Sequence, residues 1–217
     1  IQHHFAHFAS VLSEHSLLTK SEKVLGIIWD GTGFGNDGNS WGGEFLMYEN
    51  SIFSRLLHLS YVPSILGDKM SLEPRVSALA HCWKNSMATE IIIEKFTQQE
   101  WLLYQKILSK GQFLKTSSMG RLFDTVACLL GIIDIQTYEG EAALKLETLA
   151  QTYFDQNEII DETTVVEKNE NARQWIYVDC DHWAGCFMRC DGESSQCNQL
   201  AKDSNFSILS IFRSVFD

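Results

Sequence analysis

The sequence predicts a mixed α/β fold, in which a short meander of strands is followed by a run of helices. Three observations carry this prediction. KVLGIIWD (Lys23–Asp30) is a short apolar run rich in β-forming residues. A segment with six glycines, GTGFGNDGNSWGG, follows it directly. Helical patterns then dominate from residue 72 onward, and this order of elements is typical of a nucleotide-binding α/β lobe.

Length and charge exclude several classes of protein. The chain has 217 residues and is 45% hydrophobic, enough to bury a sizeable core. Its net charge of −11 argues against a general binder of nucleic acid or anionic membranes, because such binders need basic surfaces. There is no run of about 18 apolar residues, so we expect no transmembrane helix. The first residues resemble no signal peptide, and we expect a cytoplasmic protein in which residue 1 is an interior point of a longer polypeptide.

The first elements follow from hydrophobic spacing. Apolar residues near helical spacing predict a helix over residues 3–15. The strand Lys23–Asp30 should end in a glycine-rich turn, DGTGFG, because glycine allows backbone conformations that other residues avoid. EFLMYE and FSRLLHLS are then expected as further strands of the meander.

The second half of the pattern is helical. Residues 72–109 are predicted as helical, with an interruption near Lys110 and Gly111. TSSMGRLFDTVACLLG begins with hydroxyl residues suited to capping and ends in glycine, which predicts a helix from about Ser118 to Leu130. YEGEAALKLETLAQTYF has a similar pattern and predicts another helix. The acidic residues 155–173 are expected to form a surface connection.

The first fifteen residues contain four histidines. His3 and His7 are four residues apart, so on a helix they share one face and can bind one metal ion. Asp30, at the end of the first strand, is a candidate oxygen ligand beside them. His4 and His15 fall on other faces, where we expect them to be structural or exposed. The zinc-protease motif is disfavoured, because His4 occupies the position of its glutamate.

The DGTGFG segment offers backbone amides that no side chain covers. Such amides can form an anion-binding concavity. The segment matches neither the P-loop nor the dinucleotide-binding fingerprint. On local pattern alone, a hairpin without chemical consequence is an equally good interpretation.

Four cysteines crowd into eighteen residues of the tail. Cys180, Cys186, Cys190 and Cys197 surround His182, but their spacings are unlike the paired knuckles of structural zinc sites. We therefore expect reduced thiols rather than a zinc site.

Five motifs occur in order and change this interpretation. QHHFAHFASVLSEH, DGTGFGNDGNSWGGEF, LGDKMSLEPRVSAL, TSSMGRLFDTVACLLG and YEGEAALKLE closely resemble the C-terminal carbamoyltransferase domain of the HypF family of [NiFe]-hydrogenase maturation proteins. The resemblance implies the actin-like ATPase superfamily fold, with two α/β lobes around a nucleotide cleft. Residues 1–155 then form the first lobe. Residues 156–217 form a connection and a divergent start of a second, largely missing lobe, in which Asn205 stands at a family histidine position.

The resemblance also implies the chemistry. HypF proteins make carbamoyl-adenylate from carbamoyl phosphate and ATP in an upstream domain, and the resembled domain passes the carbamoyl group to the C-terminal cysteine of HypE. Implied cofactors are ATP or AMP and a divalent metal, iron or zinc, with magnesium as a companion of the nucleotide. The implied metal ligands are His3, His7 and Asp30. The residues expected at the phosphate or carbamoyl group are Gly31, Thr32, Gly33 and Gly35.

The nucleoside side of the cleft is assigned in the same way. GRLFD resembles a GEAFD segment of tRNA-modifying relatives whose aspartate binds ribose, which implies that role for Asp124, partly exposed on its helix, with Gly120 permitting close approach. Arg121 is expected at a phosphate or in an ion pair. Glu139 and Gly140 resemble the opposite wall, although Glu139 also suits a helix N-terminus. Further charges that face either substrate or solvent are Asp68, Lys69, Glu73 and Arg75.

The WGGE motif, Trp41 to Glu44, is distinctive, although Trp41 also suits simple packing within the meander. Two alternatives to the HypF activity stay open. One is a carbamoyltransferase of the same superfamily that acts on a hydroxyl of a small molecule. The other is a catalytically silent module that binds a nucleotide or a HypE-like partner.

Overall fold

The first helix and the first strand pack against each other at the start of the chain. The computed structural model describes residues 1–20, 23–83, 86–156, 188–190 and 206–209. Its helices are α1 (His3–Glu14), α2 (Lys69–Leu72), α3 (Pro74–Cys82), α4 (Ser86–Ile93), α5 (Gln98–Lys110), α6 (Met119–Leu129) and α7 (Glu141–Gln156). Its strands are β1 (Lys23–Phe34), β2 (Ser40–Glu49), β3 (Ile52–Leu59), β4 (Val62–Ser64), β5 (Leu114–Thr116), β6 (Met188–Cys190) and β7 (Phe206–Leu209). The mixed α/β prediction is confirmed.

The strands form one mixed sheet. β2 is central: it pairs antiparallel with β1 and β3 and in parallel with β5, which pairs antiparallel with β4. β7 adds to β1 in parallel, and β6 adds to β3 antiparallel. Both described strands beyond residue 156 thus join the sheet formed by the first 116 residues. The domain division at 155/156 stays a prediction.

The glycine-rich turn lies later than the sequence predicts. Strand β1 continues through DGTG to Phe34, and the turn comprises residues 35–39. Trp29 pairs with Gly43 and Gly33 with Trp41, so three residues of β1 oppose one residue of β2. This irregularity pushes residues 30–32 out of the ladder as a bulge, which re-aims the Asp30 side chain. Gly31 lies within this bulge and Gly33 directly after it, and the predicted turn position was wrong.

The helical region is broken into separate helices. Pro74 starts α3, where its missing amide hydrogen costs no helical bond. Thr97 and Glu100 form a capping box that starts α5, and Gly111 ends it with a φ of 69°. The predicted interruption near Gly111 is confirmed. The breaks before α3 and α5 divide what the sequence predicts as one helical stretch.

Two apolar cores fix the site. Phe8 and Leu12 of α1 are fully buried against Val24 and Leu46 of the sheet. A second core lies among the helices α3, α4, α5 and α6. Helix α1 is therefore held firmly on β1 and β2, and its first turn lies beside the bulge. Within the described ranges, no helix is both long and apolar enough to cross a bilayer.

Candidate metal centre and adjoining pocket

The two histidines and the aspartate converge where the first turn of α1 meets the bulge of β1. His3 Nε2 lies 3.1 Å from His7 Nε2 and 3.0 Å from Asp30 Oδ2. One potential ligand atom from each of the three residues lies within 4.8 Å of the others. The predicted convergence is confirmed. Their role as metal ligands stays a prediction.

This donor set suits a single divalent ion. Two imidazole nitrogens and one carboxylate oxygen are ligands that zinc and iron both accept. His3 and His7 are exposed, so the group is open on one side. Three protein ligands with an open position are typical of catalytic rather than structural metal sites.

Asp30 is held at its other oxygen by its own backbone neighbour. The Gly31 amide donates to Asp30 Oδ1 over 2.6 Å, which the bulged conformation makes possible. Oδ2 then points toward the histidines. Asp30 thus keeps 27% of its side chain exposed while its orientation is restrained.

His4 lies much closer to the site than its helical position suggests. It is fully buried, and its Nε2 lies 3.5 Å from Asp30 Oδ2. Its burial fits the expected structural role on another face of α1. It is nevertheless near the site, because β1 runs beside the helix so closely that a Cβ atom on Gly33 would contact both His3 and His4. Burial lowers the pKa of His4 to about 4. His15, in contrast, is the exposed C-cap of α1, as expected.

The N-terminus of α6 lies directly beside the bulge. The Ser118 hydroxyl accepts a hydrogen bond from the Arg121 amide and donates one to the Gly31 carbonyl, so it caps the helix and joins it to β1. A Cβ atom on Gly120 would lie 3.3 Å from the Gly31 Cα, and one on Gly42 would lie 2.5 Å from the Asp30 carbonyl oxygen. These approaches bring a helix N-terminus, where anions bind favourably, next to the candidate ligands.

A pocket of about 650 Å³ opens beside the candidate metal ligands. His7, Asp30, Gly31 and Thr32 line one side. Charged residues from other elements complete it, namely Asp68, Arg121 and Glu139. The volume is in the range of pockets that bind small molecules and cofactors, about 300–1,000 Å³.

Asp124 does not have the exposure that the sequence led us to expect. Only 4% of its side chain is exposed. Its carboxylate forms a 2.8 Å ion pair with Arg121 and accepts a 3.1 Å hydrogen bond from Gln136 Nε2. Burial raises its pKa to about 6, although the Arg121 charge opposes the rise. The expected partial exposure was wrong, because the segment before α7 covers this face of α6.

The other predicted nucleoside residues are divided between the pocket and the scaffold. Glu139 is exposed at the pocket, and Gly140, with a φ of 80°, directly precedes α7. The first turn of α7 is capped instead by Gln136, whose Oε1 accepts from the Ala142 amide. Gly35, which was expected at the phosphate or carbamoyl group, lies instead in the turn after β1, packed on the Trp41 indole and outside the pocket lining.

The WGGE motif is a buried structural junction. Glu44 is fully buried and accepts hydrogen bonds from the Gly42 amide at 3.0 Å, the Ser117 hydroxyl at 2.5 Å and Arg55 Nε at 2.5 Å. The Arg55 guanidinium also lies 3.9 Å above the Trp41 ring. Trp41 packs the meander as expected, and Glu44 joins it to the segment that leads into α6.

Three of the four charges after β4 form a local network. Arg75 bonds both Glu73, at 2.8 Å, and Glu100, at 3.0 Å, and Lys69 lies 3.4 Å from Glu73. Asp68 alone of the four lines the pocket. The positions of Cys180, Cys186, Cys197 and Asn205 lie outside the described residues; Cys190 lies in β6.

Comparison with known proteins places the chain in a family. Residues 26–203 match the family described as "Carbamoyltransferase, Kae1-like Domain, second subdomain". The chain therefore belongs to this family of carbamoyltransferase domains, which have the actin-like ATPase type of fold. The matched range crosses the division predicted after residue 155.

The similar proteins are HypF carbamoyltransferases. The chain is 37% identical to Carbamoyltransferase HypF of Synechocystis, in a match that covers 68% of this chain and 21% of the relative. It is 40% identical to Carbamoyltransferase HypF of Rhodobacter capsulatus, in a match that covers 69% of this chain and 20% of the relative. It also matches the crystal structure of full-length HypF in the phosphate- and nucleotide-bound form, with a TM-score of 0.61 and 38% identity. This match covers 69% of the present chain and 20% of the HypF chain. The predicted HypF resemblance is confirmed, and the chain spans about a fifth of these relatives.

Proposed function

We propose that this chain is the carbamoyl-transfer part of a HypF-type enzyme, which passes a carbamoyl group from carbamoyl-adenylate to the C-terminal cysteine of a HypE-like acceptor. The observation that carries the proposal is the placement of His3, His7 and Asp30 at the edge of a pocket of about 650 Å³. Membership of the carbamoyltransferase family supports the same chemistry. An upstream adenylate-forming domain would supply the activated substrate.

A metal and a phosphate would share this pocket. Iron or zinc, bound by His3, His7 and Asp30, would supply Lewis acidity at the carbamoyl carbonyl and at the departing AMP. The amides of Gly31, Thr32 and Gly33 are candidate donors to the phosphate or carbamoyl oxygens. No side chain of this chain needs to act as the nucleophile, because the attacking thiolate belongs to the acceptor protein.

The nucleoside would occupy the side of the pocket formed by α6 and the segment before α7. Arg121 and Glu139 line this side, and the N-terminus of α6 favours the phosphate. Asp124 is the candidate for the ribose hydroxyls. Since it is buried behind its ion pair with Arg121, direct contact requires the Arg121 side chain to move aside.

The proposal is tested in a chimera in which this sequence replaces the matching segment of the Rhodobacter capsulatus HypF. Given preformed carbamoyl-adenylate and HypE, the chimera should carbamoylate the C-terminal cysteine, as read by mass spectrometry. His3→Ala should slow transfer at least about 100-fold, because the lost charge stabilisation is worth several kcal/mol. The matched control is His15→Ala, which changes an exposed histidine at the other end of the same helix.

Two outcomes would contradict the proposal. Undiminished transfer by His3→Ala would show that the histidine group is only scaffold. Carbamoylation of a small-molecule hydroxyl in preference to HypE would favour the alternative enzyme of the same superfamily.

A further inference from the structure

His4 is a buried polar residue that the proposed reaction leaves without a role. Its ring is fully buried between α1 and β1. Nδ1 lies 3.0 Å from Gln2 Nε2, and Nε2 lies 3.5 Å from Asp30 Oδ2. No hydrogen-bond partner meets His4 Nε2 among the described residues, and the Asp30 contact at 3.5 Å is electrostatic only. A buried nitrogen in that position requires an explanation.

Two backbone groups fix the orientation of the Gln2 amide. The Phe5 amide hydrogen donates to Gln2 Oε1 over 2.8 Å, and Gln2 Nε2 donates to the Phe34 carbonyl over 3.2 Å. Exchanging the oxygen and nitrogen would place donor against donor and acceptor against acceptor. The atom that faces His4 Nδ1 is therefore the NH₂ group of Gln2.

The tautomer of His4 follows from this orientation. Gln2 Nε2 can only donate, so His4 Nδ1 must accept. In a neutral imidazole the single proton then belongs to Nε2, the nitrogen that faces Asp30.

We infer that His4 is a positioning residue, whose Nε2–H is aimed at Asp30 Oδ2 and holds the carboxylate toward His3 and His7. Oδ1 is already held by the Gly31 amide, and the buried His4 ring lies 3.5 Å from Oδ2 on the protein side. This inference rests on the proposed metal site. Groups that orient a metal ligand in this way commonly change metal affinity about 10–100-fold when they are removed.

The tautomer is tested first, on the metal-free 217-residue chain. Nitrogen-15 NMR of the histidine rings should place the His4 proton on Nε2. In His4→Leu the Gly31 amide, which bonds the same carboxylate, should exchange with solvent faster than in the wild type. In His4→Gln, whose side-chain NH₂ replaces Nε2–H, that exchange should stay near the wild-type rate. A proton on Nδ1 in the wild type, or equal exchange rates in all three proteins, would overturn the inference.

The second test is zinc affinity, measured by competition with a chromophoric chelator. His4→Leu should bind zinc at least about 10-fold more weakly than the wild type, and His4→Gln should retain most of the affinity. Circular dichroism checks that both variants fold. Equal zinc affinity of His4→Leu and the wild type would overturn the positioning role, since a residue that only packs is replaced well by leucine.

The two proposals fail in different ways. If the wild type binds no zinc or iron, the metal site of the proposed function fails, while the tautomer and the Gly31 exchange still decide the role of His4. If the wild type binds metal and the His4 variants show no difference, only the inference about His4 fails.

Discussion

Asp30 and Asp124 are assigned to the same bound substrate, yet the structure holds them in opposite states. Asp30 keeps 27% of its side chain exposed and faces two histidines at the pocket edge. Asp124 is 4% exposed and paired with Arg121 and Gln136 inside the protein. The proposed metal side of the pocket is therefore open, whereas on the proposed nucleoside side Asp124 would have to exchange internal contacts for contacts with substrate.

The largest expected effect is a loss of zinc affinity at the open side of the pocket, formed by His3, His7 and Asp30. His3→Ala should weaken zinc binding by the 217-residue chain about 10-fold or more, because losing a ligand should cost no less than losing a group that only orients one. Isothermal titration calorimetry measures the effect, with His15→Ala as the control on the same helix. Equal affinities of the two variants would show that α1 does not bind the ion.

The closed side of the pocket, where Asp124 is buried, should change the pH dependence of the free energy of unfolding. Burial raises the pKa of Asp124 to about 6, so between about pH 4 and 6 the unfolded state loses its proton while the native state keeps it. The free energy of unfolding should therefore fall as pH rises through this window, by about 2 kcal/mol from this group. Asp124→Asn, which cannot ionise, should lack that decrease.

Urea denaturation at several pH values measures this difference between wild type and variant. Because all other titrating groups are shared, the subtraction isolates Asp124. Parallel stability curves from pH 4 to 7 would mean that the folded protein does not raise the pKa of Asp124, which would contradict the enclosed environment described for this carboxylate.

A smaller effect should separate two neighbouring glycines of the bulge. A Cβ atom on Gly33 would lie 2.5 Å from His4 and 2.6 Å from His3, whereas one on Gly31 would meet nothing within 4 Å. Gly33→Ala should therefore displace the histidine rings and weaken zinc binding about 10-fold, the scale expected for disturbing an orienting group. Gly31→Ala should leave zinc affinity unchanged, and equal losses in both variants would contradict the packing described for α1 on β1.

The sequence predicted the open side better than the closed side. Local periodicity placed His3 and His7 on one helix face. The family resemblance implied that Asp30 lies beside them. The burial of Asp124 depends on Gln136, which belongs to the segment between α6 and α7. Nothing in the spacing of GRLFD carries that information.

The sequence did not show that His4 lies close to Asp30, for a related reason. Helical rotation puts it on a different face from His3 and His7, but the strand that runs beside α1 contacts more than one face. The bulge that shifts β1 relative to β2 also moved the turn from DGTGFG to residues 35–39. Register shifts of this kind depend on both strands, so one strand alone does not reveal them.

The most direct test of the central claim is anomalous diffraction from crystals of the 217-residue chain with one equivalent of zinc. The account predicts one anomalous peak bonded to His3, His7 and Asp30, with Zn–N distances of about 2.0–2.1 Å and an open position toward the pocket. A peak bound to sulfur in the cysteine-rich tail, with density for unligated His3 and His7, would contradict it.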